Sequence, residues 1–393
     1  MILTNSSTYP IGLDISDLSV KLVQLNKIRG KIKIQAIGKL DLPKNIVLNG
    51  EIKNRPELIK AVKKIISTPL SGKVSSEEVV ACLPESKTFI KLIEVQKSPN
   101  SLSDTIGLEI EKHIPLSLSE IYYDWQMIDE QPDKYQVLIG AAPKEIVNQY
   151  TEMLDQAGLS PVALEIEPEA IARCLIKEEA YGSKLPIAKS KTDKAAGLNY
   201  GIIDIGANHT CLIFYAGNTI LFTVSIPISG EEITAKIAQT LKLTMEQAEK
   251  AKIICGLDDH KANGVIKDIL ADTLKNLLEK IKAAMAYYEN YFSQYGPLDQ
   301  ILLCGGGANI PDLPRIIGQQ FSLEVKLADA LTNLDEPRGD FDEIFTEKHF
   351  LNLKNANIKS GGKENSLSIR QNASATFATA FGLALRGIFI DEL

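Results

Sequence analysis

The sequence predicts an α/β fold made of two α/β halves related by duplication, each carrying an inserted subdomain. Two observations carry that prediction. Tyr9 to Leu40 and Tyr200 to Ile228 both read as strand–turn–strand–turn–strand, and in each the first strand reaches an aspartate, Asp14 or Asp204, ahead of a short polar bend. Amphipathic helical stretches separate and follow these units, and one further apolar strand, Ile301 to Cys304, ends in Gly305-Gly306-Gly307. Strands alternating with helical patterns mark α/β architecture.

Composition bounds the rest. The chain has 393 residues, 24% charged and 45% hydrophobic, with a net charge of -7. That is a soluble, globular balance over a length of two or more domains. Mild acidity argues against broad nucleic-acid binding, which favours a basic face. No apolar run approaches the roughly 20 residues of a membrane span, and the first residues lack the basic and apolar regions of a signal peptide. The cysteines Cys82, Cys174, Cys211, Cys255 and Cys304 have no Cys-x-x-Cys spacing and read as reduced core residues. Neither a metal-ligand cluster nor a nucleophile–histidine motif is present in the pattern.

In the first unit the polar bend is Ser16-Asp17, Val20 to Leu25 is the second strand, and Arg29-Gly30 turns into the third. The loop offers Ser16, Ser19 and Lys21 as polar groups; Lys21 either reaches a phosphate or is a solvated strand lysine. Pro56 to Ser67 is an amphipathic helix, with Pro56 in its first turn. From Pro84 onward, strand, helix, strand, strand, helix makes an α+β insert of about 80 residues, a plausible small domain. Its aromatic residues suit a core, and its sheet could offer an edge or groove to a peptide.

Val162 to Ile166 returns as a strand and Glu167 to Glu178 as a helix with Pro168 in its first turn. Glu165, Glu167 and Glu169 cluster there. They either complement the helix dipole or include one that orients a water near phosphates. A lysine-rich stretch, 186–199, reads as a linker. In the second unit, Gly206, Ala207 and Asn208 form a permissive loop whose backbone N–H groups suit an anion. Ser229 with Glu232, and Thr244 with Gln247, have capping-box spacing and open two helices. Ile266 to Tyr295 continues as a long helix or helix pair, so 229–295 is a helical lobe. Glu232 and Lys236 share a helix face and either pair or touch a ribose. The Gly305–Gly307 turn lets backbone lie against a flat or phosphorylated ligand, and Asn309 follows it. Leu331 to Ala373 is an irregular excursion, and Ala373 to Phe389 a closing helix with small residues on one face.

Taken together, GLDISDLSVKLVQL, EIEKHIPLSLSEIYYDWQMID, IDIGANHTCLIFYAGN, ISGEEITAKIAQTLKLTMEQAEKAK, LLCGGGANIPDLPRII and FGLALRG resemble the actin/sugar-kinase/Hsp70 superfamily. Within it the chain looks most like the PilM family of actin-like type IV pilus assembly proteins. The resemblance implies two RNase H-like subdomains. They are 1A (1–84 with 162–185 and 373–393) and 2A (200–228 and 296–372), carrying insert 1C (85–161) and lobe 2B (229–295) and joined by the linker 186–199. It implies ATP with Mg²⁺ in the cleft between them. Asp14 and Asp204 would face the metal through water. Ser16, Ser19, Lys21 and the backbone of Gly206, Ala207 and Asn208 would approach the phosphates. Glu232 and Lys236 would lie near the ribose, and Gly305, Gly306, Gly307 and Asn309 against the nucleoside. Glu167 matches the position of a water-orienting glutamate.

The same resemblance implies a cytoplasmic scaffold that binds the N-terminal peptide of a PilN-type inner-membrane protein in a groove between 1A and 1C. It would be peripheral to the membrane through that partner, with slow or no ATP hydrolysis, and is compatible with self-association. Two alternatives stay open. One is an FtsA-like filament former, for which a terminal amphipathic membrane helix is expected rather than the acidic end seen here. The other is a small-molecule kinase, which the Ser16-Asp17 loop and the lack of a substrate-pocket signature disfavour.

Overall fold

A computed structural model describes residues 8–99, 101–177, 198–335 and 374–389. The expected linker lies outside these except for its last two residues, and the excursion lies outside them beyond Asp335.

The first half opens with β1 (Ile11–Ile15), β2 (Ser19–Ile28) and β3 (Lys31–Asp41). Then come the short strands β4 (Val47–Leu48) and β5 (Glu51–Ile52), helix α1 (Arg55–Ser67), β6 (Ser71–Gly72) and β7 (Glu78–Leu83). Asn54 caps α1 through Glu57 N, with Pro56 in the first turn. The insert holds β8 (Phe89–Gln96), α2 (Leu102–His113), β9 (Ile121–Glu130), β10 (Lys134–Pro143) and α3 (Lys144–Ala157). Gly158, at φ 85°, stops α3 in the left-handed region that glycine tolerates.

Next are β11 (Ser160–Ile166) and α4 (Glu167–Leu175). Helix α4 ends earlier than the pattern Glu167 to Glu178 suggests. Asn333 Nδ2 donates to the carbonyls of Arg173, Cys174 and Ile176 at 2.9, 3.3 and 2.7 Å, and so satisfies the end of the helix there.

The second half has β12 (Tyr200–Ile205), β13 (Thr210–Ala216) and β14 (Thr219–Ile226). Its lobe is α5 (Gly230–Leu241), α6 (Met245–Cys255) and α7 (Val265–Tyr291). The return consists of β15 (Gln300–Cys304), α8 (Leu313–Phe321), β16 (Glu324–Leu327) and the closing helix α9 (Ala378–Phe389). Thr244 and Gln247 form a full capping box at α6, and Ser229 Oγ caps α5 through Glu232 N at 3.1 Å.

The duplication is explicit in the topology. The order β11-β7-β1-β2-β3 in one sheet matches β16-β15-β12-β13-β14 in the other. In both series the first two pairings are parallel and the next two antiparallel. Even the hairpin turns repeat. Arg29 and Gly30 have φ 53° and 78°, Gly217 and Asn218 59° and 62°. Two consecutive positive φ values are what a two-residue hairpin between right-twisted strands requires.

Two findings go beyond the sequence pattern. The insert has its own core of Ile93, Val95, Ile106, Ile110 and Val137, yet its strands do not form a separate sheet. β8 pairs with β14 at Phe222–Lys91, so the order β14-β8-β10-β9 extends the second half's sheet to eight strands. Second, α9 begins with a 3-10 turn at Ala375–Phe377 and is buried almost all round. It crosses very close to its neighbours. A Cβ on Gly382 would lie 1.8 Å from Ala170 O, and one on Gly12 2.4 Å from Ala380 O.

Candidate functional site: an interdomain cleft

The loops after β1 and β12 are built alike. Ser16 N donates to Ser19 O, and Gly206 N to His209 O, each at 2.9 Å. Asp14 and Asp204 therefore stand at equivalent strand ends, and both line one cavity of about 400 Å³, within the size range of ligand sites. Each aspartate also receives a thiol from the parallel neighbouring strand: Cys82 Sγ lies 3.8 Å from Asp14 Oδ1 and Cys304 Sγ 3.6 Å from Asp204 Oδ1. Lys21 Nζ donates to Asp14 Oδ2 at 2.7 Å.

Of the residues singled out in the sequence, Asp14, Ser16, Ser19, Lys21, Glu167, Asp204, Gly206, Ala207 and Gly305 to Gly307 line this cavity. The turn runs tight against β12, with Gly305 at φ 79°. A Cβ there would stand 2.3 Å from Asp204 Oδ1, and one on Gly307 2.2 Å from Ile205 Cγ2. Only glycine allows the turn to close on the aspartate strand.

Four expected site residues lie elsewhere. Glu232 is exposed and Lys236 Nζ donates to Thr273 Oγ1 at 3.2 Å, because the phase of α5 turns Glu231 and Thr234 to the cavity instead. Asn309 folds back on its own turn, its Nδ2 3.4 Å from Gly306 O. Asn208, expected for its backbone, is not among the residues lining the cavity, and its side chain donates to Asp17.

The cation missing from the lobe is supplied by α6. Lys252, 4% exposed, donates to Gly230 O at 3.0 Å and Thr234 Oγ1 at 2.8 Å and pairs with Glu249 Oε2 at 2.7 Å. Thr234, Glu249 and Lys252 all line the cavity. The sequence signal was there: Lys252 lies one turn after buried Ala248, on a face where an apolar residue is expected. Gly230 N and Glu231 N in turn donate to Gly206 O and Ala207 O, both at 3.0 Å. The lobe is thus bonded directly to the loop after β12.

Side chains also link the jaws across the cleft. Buried Asp17 accepts from Asn49 N and from Gly50 N at 2.5 and 3.0 Å, and from Asn208 Nδ2 of the opposite loop. Lys44 pairs with Glu231. His209 Nε2 lies 3.4 Å from Glu85 Oε2.

The electrostatics follow from crowding carboxylates in a buried place. Burial, then Asp204, Asp14 and Glu85, pushes Glu167 well above the usual carboxylate range, against a smaller pull from Lys21. Thr379 Oγ1 donates to Glu167 Oε1 at 3.2 Å. Burial also raises Asp204, partly offset by His209 and Lys21. Lys21 is raised: burial opposes its charge, but Asp14, Glu167 and Asp204 together outweigh it. Among the described residues no three His, Cys, Asp or Glu are placed to hold a metal ion by themselves, and no helix is long and apolar enough to cross a membrane.

Comparison with known proteins adds context to this geometry. A family model described as "Type IV pilus assembly protein PilM" matches residues 12–344. The cell division protein FtsA of Borreliella burgdorferi is 25% identical over 160 residues, 35% of this chain and 38% of that protein, so the match spans well under half of the relative's length. The solved structure of a PilM-PilN type IV pilus biogenesis complex is similar with a TM-score of 0.73 and 21% identity, over 97% of this chain and 98% of that one. The ethanolamine utilization protein EutJ of Carboxydothermus hydrogenoformans gives 0.52 and 14% over 96% and 89%. MreB 5 of Spiroplasma citri bound to AMPPNP gives 0.50 and 13% over 98% of both chains. At these identities the structural likeness shows the fold, which is actin-like.

Proposed function

The chain belongs to the family of the type IV pilus assembly protein PilM, and on that premise we propose that it is a cytoplasmic scaffold whose cleft holds ATP with Mg²⁺ and whose partner is the N-terminal peptide of a PilN-type inner-membrane protein. It associates with the membrane through that partner. The observation that carries the reading is the pairing of Asp14 and Asp204 at equivalent strand ends over one cavity that also holds Lys21, Lys252 and the Gly305–Gly307 turn.

The residues present fit the nucleotide. Lys21 and Lys252 supply positive charge and Ser16 and Ser19 hydroxyls, and Gly206 and Ala207 line the cavity beside them. Thr234, Glu249 and Lys252 are the lobe's polar groups for a ribose, in place of Glu232 and Lys236. Gly306 has nothing within 4 Å of an added Cβ, leaving an open backbone surface for the nucleoside. A bound Mg²⁺ would neutralise phosphate charge, and it keeps several waters when few carboxylates reach it. Asp14 and Asp204, each occupied by a thiol and Asp14 also by Lys21, suit contact through such waters.

Hydrolysis needs a positioned and activated water besides bound ATP. Glu167 lines the cavity, but burial and the neighbouring Asp204, Asp14 and Glu85 disfavour its charged form, which weakens it as an acceptor for a water proton. That supports slow or no turnover, with nucleotide as a structural or switching ligand. A pulldown with a synthetic PilN-type N-terminal peptide, with and without MgATP, tests the proposal. Peptide capture is expected. No capture in either state, together with filaments of the chain by electron microscopy, would favour an FtsA-like filament former.

A further inference from the structure

Among the described residues, strand β9 ends the eight-stranded sheet and has β10 as its only strand neighbour. It is a long edge, ten residues from Ile121 to Glu130. Edge strands are usually short, covered, or protected by charge and proline. β9 instead exposes three large apolar side chains, Tyr122 at 49%, Tyr123 at 37% and Met127 at 40%. Its charge is one-signed: from Glu120 to Asp133 there are Glu120, Asp124, Asp129, Glu130 and Asp133, and no lysine or arginine.

The outward backbone groups can be placed. Trp125 N donates to the carboxylate of its neighbour Asp124 at 2.8 Å, so this N–H is not spent on β10. In an antiparallel strand the ladder direction alternates, which puts Tyr123 and Met127 in the same outward phase as Trp125. The side chains alternate too. Trp125 packs on the insert core, to which α2 contributes Ile106 and Ile110, and Tyr123 Oη lies 3.7 Å from the place of a Cβ on Gly107 of the same helix, α2. Tyr122 lies on the other face under Lys144, whose Nζ is 5.4 Å from the ring centroid, and Asp124 shares that face.

We propose that the edge of β9 is a strand-addition site for an extended basic segment of a partner protein. The segment would place apolar side chains beside Tyr123 and Met127, and lysine or arginine beside Asp124 between Tyr122 and Gln126. Its backbone would replace the Asp124 carboxylate at Trp125 N–H, freeing that carboxylate for the incoming cation. Main-chain bonds supply affinity and alternate side chains specificity in this mode. A second copy of this chain is a poor occupant, because two acidic edges would face each other, and like charges directly opposite are destabilising. The site is independent of nucleotide in the cleft.

Trp125 is the sole tryptophan, so its fluorescence reports on this edge directly. The probe is the blocked peptide acetyl-Lys-Val-Lys-Val-Lys-Val-Lys-amide, titrated into the full chain. A saturable change in Trp125 emission is expected. The response should need at least tenfold more peptide when the lysines are replaced by glutamates, or when the backbone is N-methylated throughout. Asp124→Lys, and independently Gln126→Lys on the same exposed face, should weaken binding at least tenfold. Absence of a response, an equal response to the N-methylated peptide, or unchanged affinity in both variants would overturn the proposal. So would self-association of the free chain that hides Trp125 from the peptide.

Discussion

Asp17 is a single loop carboxylate with three donors from two places, Asn49 N, Gly50 N and Asn208 Nδ2. Removing it leaves the buried Gly50 N–H without its acceptor, a loss of about 1–3 kcal/mol for such a group. Asp17→Ala is therefore expected to lower the melting temperature by several degrees in a thermal scan, and an unchanged value would mean that these bonds carry no weight. Glu169 gives a different kind of test. Burial lifts its pKa to about 7, against the pull of Arg173 and Arg386. A carboxyl raised in the folded state costs no stability at pH values below its unfolded value of roughly 4.3. The cost then grows until the folded group ionises near 7. Glu169→Gln should accordingly stabilise the protein more at pH 8 than at pH 5. Equal melting-temperature differences at the two pH values would place Glu169 in solvent. At this scale the sequence is legible where a residue type is tied to a turn: Asp14, Asp204 and Gly305 stand at strand ends in the pattern, and the structure places all three at the cavity. Glu232 and Lys236 were misplaced by helix phase, since a four-residue spacing fixes which residues share a face but not which way the face looks.

At the scale of elements, helix starts and hairpin turns were readable because their signals are local. Thr244 and Gln247, or Gly217 and Asn218, carry their geometry within four residues. The closing helix shows what small residues are for. Gly382 brings α9 onto the carbonyl of Ala170, and Gly12 brings β1 onto α9. The obstacle is backbone on both sides, so no rotamer change relieves it. Gly382→Ala should cost about 3 kcal/mol or more, the upper end of overpacking effects, seen as a large fall in melting temperature or in soluble yield. A variant as stable as the parent would show that α9 can move away from α4. The early stop of α4 was not readable, because Asn333, which ends it, lies 157 residues beyond Ile176.

Over the whole molecule, the duplication is visible in the sequence as two aspartate-bearing three-strand meanders, and the structure extends it to a shared five-strand order. The features that join the halves were not visible. Asp17 and Asn208 are 191 residues apart, Lys44 and Glu231 187, and Ile32 N meets Asp335 Oδ2 at 2.9 Å across 303. The join of β14 to β8 rests on a single pairing, Phe222–Lys91. Contacts of such separation leave no local pattern; they depend on how two separately legible units dock. Their consequence is a cleft whose walls are bonded to each other as well as to their own sheets. Nucleotide would then enter a cavity already assembled. The most direct test is calorimetric titration of MgATP into the full chain and into Asp204→Asn, which keeps the side-chain shape and removes a buried charge. The account predicts one site in the parent and at least tenfold weaker binding in the variant, with a melting temperature no lower than the parent's. Equal affinity in the two, or no binding to the parent, would contradict it.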